Sequence, residues 1–457
     1  MRVALTVAMT ATMLVPALWR PVVALSYPIT LARAFTATGP SATAFGFPAT
    51  HIAFSWTGEE GTGVRYRSVD PASGSSRWRR APEAHDLEHG STHYSGVIAV
   101  DRPEKVQWKP VVPRGAEVGP VTIDYMNTID GPRRRVEIPS TAAAATPDPD
   151  IVTRAEWGAD ESIKRTSGGC ARQFHPVQQL FVHHTAGTNN DRYPKATMRS
   201  IYWYHTVRRG WCDIGYNFVL SPDGRIFEGR WSREFDPGEI HDGENQKDEI
   251  VQGAHTQDFN SGSIGVSLMG NYSTTTWSSA MRRALVHLLA WEVDRHGLQL
   301  GEHVYRNPVT GTSKRLPLIA GHRDAGQTEC PGNNVYAGLP GLRRSVAKRI
   351  AASRASTTTT LESLTPVMLA GQSASFVGTL TTSTGLGLAG KKIRAHFKPE
   401  GKPWRRSAVV ATTEPDGRFV FELQLQRDSV VVAEFFGDDE AWPSKSPRVN
   451  QEVTQPP

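Results

Sequence analysis

Hydrophobic and polar residues alternate in short segments over the first part of the chain. Between 38 and 139, stretches such as "HIAFSW", "GVRYRSV" and "VTIDYM" alternate in this way and are separated by Gly, Pro or Asp turns. A period of two is typical of half-buried β-strands. The pattern predicts an N-terminal β-domain over 38–139, and the small residues and prolines of "STAAAATPDPD" predict a linker over 140–150.

A helical period appears in the central region. In "TMRSIYWYHTVRR" the residues spaced i, i+3, i+4 and i+7 from Met198 to His205 share one face, and "SSAMRRALVHLLAWEVDRHG" repeats the pattern up to Gly297, the expected C-cap. Strands are predicted at "QQLFVHH", "YNFVL", "GRIFEG", "SIGVSLMG" and "LPLIAGH". We therefore expect an α/β domain over 151–353, a mixed β-sheet flanked by helices. Two stretches, 231–251 and 301–315, lack either period and predict long surface loops.

Strand patterns return in the last part of the chain. Segments such as "GQSASFVGTLTT" and "SVVVAEFFG" lie between Gly, Pro and Asp turns and predict a β-sandwich over 356–457. "VGTLTTSTGLGLAGKKI" and "PDGRFVFEL" resemble bacterial immunoglobulin-like repeats of cell-surface proteins. The predicted architecture is thus a central α/β domain between an N-terminal β-domain and a C-terminal immunoglobulin-like β-sandwich.

The first residues have the pattern of an export signal. "MRVALTVAMTATMLVPALW" places one Arg ahead of a long apolar run, and "RPVVALS" offers a small-residue cleavage site near Ala24. This predicts a signal peptide over 1–24 and a secreted or cell-wall protein. An uncleaved membrane anchor is the alternative, because the run is close to the ~18 residues that a spanning helix needs. No later segment could span a bilayer, so no stable membrane span is expected after cleavage.

Charge narrows the range of partners. The formal net charge is +6, with 51 Lys and Arg against 45 Asp and Glu, and the excess is spread thinly along the chain. No segment concentrates charge as a nucleic-acid binder would, so no nucleic-acid partner is expected. A mildly basic protein suits anionic polymers of a cell wall instead.

Three cysteines, Cys170, Cys212 and Cys330, leave one thiol outside any disulfide. Any two of them could pair. If Cys330 binds a metal ion, Cys170 and Cys212 remain to form the bridge, and the odd number is explained.

Two histidines and a cysteine stand in distinctive settings, "FVHHTAG" at 181–187 and "AGHRDAGQTECPG" at 320–332. Successive side chains of a strand point to opposite faces, so only one of His183 and His184 can share a site with His322 and Cys330. Imidazole and thiolate are good Zn²⁺ ligands, and three protein ligands leave a position for water or substrate. The combination predicts a catalytic zinc site, whereas a single histidine would more often be a hydrogen-bonded core or surface residue.

The order of motifs resembles the peptidoglycan recognition protein family, which shares its fold with the phage lysozyme-type amidases. "TRAEWGA", "FVHHTAG", "GWCDIGYNFVLSPDGRIFEGR", "GAHT", "SIGVSLMGNY" and "GHRDAGQTECPG" carry the resemblance, over roughly 150–352. The resemblance implies His183, His322 and Cys330 as zinc ligands and Tyr216 as the catalytic tyrosine. Thr328 stands where phage enzymes carry Lys and recognition proteins often carry Thr, which leaves the oxyanion partner open between Tyr216 and Thr328.

The resemblance also implies a reaction, the zinc-dependent hydrolysis of the amide between N-acetylmuramic acid and L-alanine in peptidoglycan. Ser267 stands where some related amidases carry Glu, so the general base stays open. His205, Arg230 and His255 match positions near the family's ligand cleft and are expected either to bind substrate or to support the site as polar neighbours.

Other functions remain possible on the sequence alone. One alternative is a peptidoglycan-binding recognition protein without catalysis, a reading that the presence of Cys330 disfavours, and another is a zinc hydrolase acting within the stem peptide. The outer β-domains are expected to bind wall polymer or to space the central domain from the surface.

Overall fold

The computed structural model describes residues 22–70, 74–84, 91–139, 149–235, 239–353, 355–365, 367–382, 385–402, 404–438, 440–441 and 444–455. Residues 1–21 of the signal peptide predicted over 1–24 therefore lie outside the described residues. So do residues 140–148 of the predicted linker. The chain forms two compact units, one of residues up to 285 together with 301–339, the other of 286–300 together with those from 340 onward.

Among the described residues of 22–139 there are twelve strands. They are β1 (Val22–Pro28), β2 (Leu31–Ala37), β3 (Ser41–Ala44), β4 (His51–Gly58), β5 (Gly63–Asp70), β6 (Gly74–Ser75), β7 (Arg79–Arg80), β8 (Thr92–Tyr94), β9 (Ile98–Ala99), β10 (Lys105–Val111), β11 (Val118–Asn127) and β12 (Arg133–Pro139).

The N-terminal region is built from two five-stranded sheets. One has the order β3-β10-β5-β6 with β7 paired to β5, the other β2-β11-β4-β8 with β9 paired to β4. Their inner faces supply a common core that includes Phe54, Trp56, Tyr66, Trp108 and Ile123. The predicted β-domain is present, but it starts earlier than the predicted 38, because β1 pairs with β12 and β2 pairs with β11. Strand β2 is largely exposed, so its sequence lacks a clear apolar alternation.

The central region contains β13 (Ile151–Val152), α1 (Arg154–Trp157), β14 (Phe174–Pro176), β15 (Gln179–His184), α2 (Pro194–Trp203), β16 (Phe218–Leu220), β17 (Ile226–Glu228), β18 (Glu249–Val251), β19 (Ser263–Leu268), α3 (Ser279–Arg295), β20 (Glu302–Arg306), β21 (Ser313–Pro317), β22 (Ile319–Gly321), α4 (His322–Ala325) and α5 (Asn333–Ser353). A 3-10 turn covers Gly168–Cys170, and a π-helical segment, Tyr204–Arg208, continues α2.

The expected mixed α/β fold is present. The six-stranded sheet has the order β13-β17-β16-β19-β15-β22, in which only the β16–β17 hairpin is antiparallel. Gly297 ends α3 with φ +60, and the N–H of Leu298 donates to the carbonyl of Val293, as a C-cap requires. One prediction was wrong: residues 301–315 are largely a β-hairpin, β20–β21, with Tyr305 and Leu316 in the core. Residues 231–251 are irregular until β18, and 236–238 lie outside the described part.

The N-terminal β-domain packs directly on α2 and on the loop that follows β15. His51 lies at this contact, its Nε2 2.9 Å from the Thr197 hydroxyl and its Nδ1 3.1 Å from that of Thr50. The Tyr204 hydroxyl donates to the carbonyl of Phe54, and Ala53, Val97 and Met126 share a core with α2. The two regions therefore form one packed body.

The C-terminal strands are β23 (Thr357–Thr359), β24 (Glu362–Ser363), β25 (Val367–Leu369), β26 (Ser373–Thr382), β27 (Lys392–Pro399), β28 (Arg405–Thr412), β29 (Arg418–Gln424), β30 (Ser429–Phe435), β31 (Ser444–Lys445) and β32 (Val449–Thr454). They form two sheets, β23-β26-β24 with β29 and β25-β32-β30-β27-β28 with β31, around a core that includes Phe376, Phe419 and Phe421. The prediction of a β-rich C-terminal region is therefore confirmed, and that region contains two sheets. Among the described residues, no helix is both long and apolar enough to cross a membrane.

Candidate metal centre

The first candidate ligand is carried by a central strand. His183 lies on β15 directly opposite Ser267 of β19, and both side chains are buried, at 1% and 0% exposure. His184 points the other way, where its Nδ1 accepts a hydrogen bond from the backbone N–H of Tyr272. As strand alternation predicts, only one of the two neighbouring histidines faces the candidate site.

A tight turn brings the other two candidate ligands together. His322 begins α4, and Cys330 ends the turn that follows it. The backbone N–H of Arg323 donates to the carbonyl of Cys330 at 3.0 Å, which closes the turn, and the Thr328 hydroxyl oxygen accepts the backbone N–H of Cys330 at 3.1 Å. These bonds hold His322 and Cys330 at one end of the sheet, beside His183.

The three side chains converge. Nδ1 of His183 lies 3.6 Å from Sγ of Cys330, and the ring centroids of His183 and His322 are 4.8 Å apart. One ligand atom from each of the three residues lies within 4.8 Å of the other two, an arrangement that could hold a metal ion. Cys330 is not in a disulfide, whereas Cys170 and Cys212 are joined, as the odd cysteine count suggested.

The surroundings of His183 favour the neutral imidazole that metal binding needs. Burial, reinforced by the nearby histidines His322, His255 and His184, holds the pKa of His183 well below its usual range, so its ring stays neutral. The backbone N–H of His184 donates to Sγ of Cys330 at 3.4 Å, a contact that stabilises negative charge on sulfur.

His255 lies behind His183 rather than in an open cleft. It is 5% exposed, its Nδ1 is 3.2 Å from Nε2 of His183, and burial lowers its pKa to about 3. A Cβ at Gly253 or Gly265 would lie 2.5 or 2.4 Å from this imidazole, so both glycines make room for the ring. Of the two roles expected for His255, substrate contact and support of the site, this buried position beside His183 fits the second.

Tyr216 borders the centre from the loop before β16. Its ring is half-buried, with the centroid 5.5 Å from that of His183 and 5.7 Å from that of His205. Nδ1 of His205 accepts the backbone N–H of Gly215, and the His205 ring packs 4.6 Å from Trp211. His205 is only 7% exposed, so it too supports the loop that carries Tyr216, and the expectation of substrate contact finds no support in its placement.

An ion pair that the sequence analysis missed fixes the same loop. Arg154 and Asp213 are both buried, with Nη1 of the arginine 3.1 Å from Oδ1 of the carboxylate. Asp213 also accepts the backbone N–H groups of Ile214 and Trp231, and the N–H of Arg230 donates to the carbonyl of Tyr216. The sequence signal for this ion pair was the "TRAEWGA" motif, which contains Arg154. Arg230 is half-buried at the rim, and burial lowers its pKa.

Comparisons with known proteins find relatives of the central part of the chain. The family profile described as N-acetylmuramoyl-L-alanine amidase matches residues 173–333. Peptidoglycan-recognition protein SC2 of Drosophila simulans is 35% identical over 191 residues, 41% of this chain and 82% of that protein. Peptidoglycan recognition protein 1 of Bos taurus is 31% identical over 191 residues, covering 41% and 80%.

Among solved structures, wild-type Drosophila PGRP-LB is 25% identical, with a TM-score of 0.31 and coverage of 42% of this chain and 92% of that one. The N-acetylmuramoyl-L-alanine amidase LysC of Clostridium intestinale is 21% identical, with a TM-score of 0.30 and coverage of 44% and 98%.

The fold and the converging residues define an α/β protein with a His, His, Cys centre at one end of a mixed sheet. The chain belongs to the peptidoglycan recognition protein family, through a domain of the amidase type.

Proposed function

We propose that this protein is a zinc-dependent N-acetylmuramoyl-L-alanine amidase, which hydrolyses the amide between N-acetylmuramic acid and L-alanine in peptidoglycan. The observation that carries the proposal is the convergence of His183, His322 and Cys330, with their ligand atoms within 4.8 Å of one another. The family relationship supports peptidoglycan as the substrate.

The residues present fit a zinc ion. Two imidazoles and a thiol are the ligand types that Zn²⁺ prefers, and three protein ligands are the number that leaves a catalytic position open. Two of the three candidate ligands have surroundings that suit metal binding. The backbone N–H of His184 donates to Sγ of Cys330, and the lowered pKa of His183 keeps its ring neutral. When bound, zinc supplies Lewis acidity, which polarises the amide carbonyl and makes water nucleophilic near neutral pH.

The two oxyanion candidates differ in their surroundings. Tyr216 lies beside His183, with the two ring centroids 5.5 Å apart, and its ring is half-buried. Thr328 instead accepts the N–H of Cys330 and so helps to place the thiolate. This contrast favours Tyr216 as the oxyanion donor and Thr328 as a positioning residue.

No carboxylate stands opposite His183 on the neighbouring strand. Ser267 takes that position with its hydroxyl buried and, among the described residues, without a hydrogen-bond partner. A serine hydroxyl is far too weak a base to accept a proton at neutral pH, so the general base lies elsewhere and its identity stays open.

The test combines zinc content with product mass for the full-length chain. Wild type is expected to hold one zinc and to release stem peptides with a free L-alanine amino terminus from purified peptidoglycan. Cys330→Ser is expected to lose both properties while keeping its circular dichroism spectrum. His396→Ala, which removes a histidine of the C-terminal unit, is the matched control and is expected to keep both.

The other outcomes identify the alternatives. Bound zinc and bound muropeptide without release would indicate a recognition protein that does not catalyse. Products that leave L-alanine attached to muramic acid would indicate a hydrolase acting within the stem peptide. Zinc that remains in Cys330→Ser would overturn the ligand assignment.

Three further expectations accompany this proposal, and the proposal does not depend on them. They are export with signal cleavage near Ala24 to a secreted or cell-wall location, an immunoglobulin-like identity for the C-terminal unit, and contact with anionic wall polymers. Mass spectrometry of the mature amino terminus tests the first directly.

A further inference from the structure

One outer sheet face of the N-terminal domain is cationic. In β5 and β10, Val64, Tyr66, Val106 and Trp108 point into the core. Strand alternation turns their neighbours outward. These neighbours include four cationic residues, Arg65, Arg67, Lys105 and Lys109, which we call the cationic face.

The register places like charges side by side. Lys109 lies directly opposite Arg65, and Arg65 lies directly opposite Arg80 on β7. Like charges in such positions destabilise a sheet, so the sequence carries them at a cost. Within the described parts of β3, β5, β7 and β10, this face has no Asp or Glu, and no ion pair joins its four cations to an acid in the part of the chain that the structure covers.

Trp78 arranges two of these cations. The Arg67 guanidinium lies 4.8 Å and the Lys109 ammonium 4.7 Å from the centroid of its half-buried ring, and Nε of Arg67 donates to Gln107 at 2.7 Å. Cation–π contacts and this bond limit the rotamers of both long side chains. Preorganised charges bind a ligand with less loss of side-chain entropy than free ones. Arg80 differs, because it donates to the carbonyls of Gly61 and Thr62 and so serves the fold.

We propose that the cationic face binds a linear polyanion of the cell wall whose repeating units are linked by phosphodiesters. Charge complementarity carries this inference, since four clustered Arg and Lys groups, two of them held by Trp78 and none paired with an acid among the described residues, suit a chain of phosphates. The choice of a wall polymer over a nucleic acid rests on the proposed function, because peptidoglycan and such polymers occur in the same wall.

The test is co-sedimentation of the full-length protein with insoluble bacterial walls that carry a phosphodiester-linked polymer. The same walls after hydrofluoric acid extraction, which removes that polymer, are the matched ligand control. The variant is Arg65→Glu with Lys109→Glu. Its matched control is Arg283→Glu with Arg306→Glu, two exposed arginines of α3 and β20 that give the same change in net charge.

Wild type and the control variant are expected to bind polymer-bearing walls alike, and more weakly as the salt concentration rises. The double variant on the cationic face is expected to bind about ten-fold or more weakly, as loss of two charge-assisted contacts predicts. Extraction of the polymer is expected to lower wild-type binding to the level of that variant. Arg65→Gln with Lys109→Gln gives the same comparison if the glutamates prevent folding.

Equal binding by wild type and the variant, or wild-type binding that extraction does not lower, would overturn the proposal. Tighter binding to DNA or RNA than to the soluble polymer at one ionic strength would assign the face to nucleic acid instead. Amidase activity on polymer-free peptidoglycan is measured in parallel. Loss of polymer binding with activity retained is expected for the variant, so failure of this inference is distinguishable from failure of the proposed function.

Discussion

Nε2 of His183 and Nδ1 of His255 face each other at 3.2 Å, inside a space that Gly253 and Gly265 leave free. A histidine that ligates a metal through one ring nitrogen usually donates its other N–H to a fixed acceptor. His255 can be that acceptor, and the contact then leaves Nδ1 of His183 unprotonated and directed at Cys330. The relationship explains why a wholly buried histidine stands behind the candidate ligand.

His255→Ala is therefore expected to weaken zinc binding about 10–100-fold, the usual effect of removing such a partner. Competition for zinc with a chromogenic chelator measures it without reference to activity. His396→Ala is expected to bind zinc as wild type does. An unchanged affinity in His255→Ala, with the fold retained, would show that His255 does not orient His183.

The sequence could identify the candidate ligands because they lie in motifs with strong local signals. Strand alternation predicted that only one of His183 and His184 faces the site, and the family resemblance implied that this one is His183. The support from His255 was not predictable, because it depends on two glycines, Gly253 on a loop and Gly265 on β19, that fold against the same ring.

The position of the N-terminal domain was equally hidden from the sequence. Its alternating strands predicted a β-domain, but nothing in a period of two tells which loop meets another domain. A Cβ at Gly96 would lie 2.4 Å from the carbonyl oxygen of Ala186, and one at Gly187 2.4 Å from that of Val97. The N-terminal domain thus contacts the loop that follows His184 at van der Waals distance.

Gly187→Ala tests this contact. The added methyl group would strike the backbone of Val97, and overpacking of this kind costs about 1–3 kcal/mol. We expect a lower urea midpoint and weaker zinc binding, because the loop continues from β15. Gly169→Ala is the matched control, since no atom lies within 4 Å of a Cβ there. Equal stability of the two variants would contradict the close packing seen here.

The same interface is expected to weaken in acid because of His51. Burial, with a contribution from Arg199, lowers its pKa from 6.5 to about 3. A group whose pKa falls on folding favours the folded state fully above its unfolded pKa, and that contribution is lost as the pH falls from about 6.5 toward about 3. The loss is on the order of 1 kcal/mol per pH unit within this window.

His51→Gln removes the titrating ring and keeps polar atoms for Thr50 and Thr197. The difference in free energy of unfolding between wild type and this variant is expected to shift toward the variant as the pH falls, and urea titrations across the window measure it. A difference that is constant with pH would mean that His51 keeps its ordinary pKa in the folded protein.

The disulfide between Cys170 and Cys212 is expected to stabilise the two segments that it joins without contributing to the candidate metal centre. It joins residues 42 apart, and the N–H of Arg165 donates to the carbonyl of Cys212 beside it. Replacing both cysteines by serine is expected to lower the free energy of unfolding by about 2–4 kcal/mol. Zinc content is expected to remain one per chain, because Cys330 is separate. Loss of zinc in the folded double variant would show that the bridge shapes the ligand geometry.

Substitutions of Tyr216 and of Thr328 are expected to change different quantities, kcat for Tyr216 and zinc affinity for Thr328. On the proposed assignment of Tyr216 as the oxyanion donor, Tyr216→Phe is expected to lower kcat about 10²–10³-fold, as when one such donor is lost, with zinc affinity unchanged. Thr328→Val removes the acceptor for the N–H of Cys330 at 3.1 Å, so zinc affinity is expected to fall while kcat of the zinc-saturated protein stays near that of wild type. Thr328→Ser is expected to restore the affinity, because its hydroxyl can accept the same bond. A large fall in kcat for zinc-saturated Thr328→Val would move the oxyanion role to the threonine.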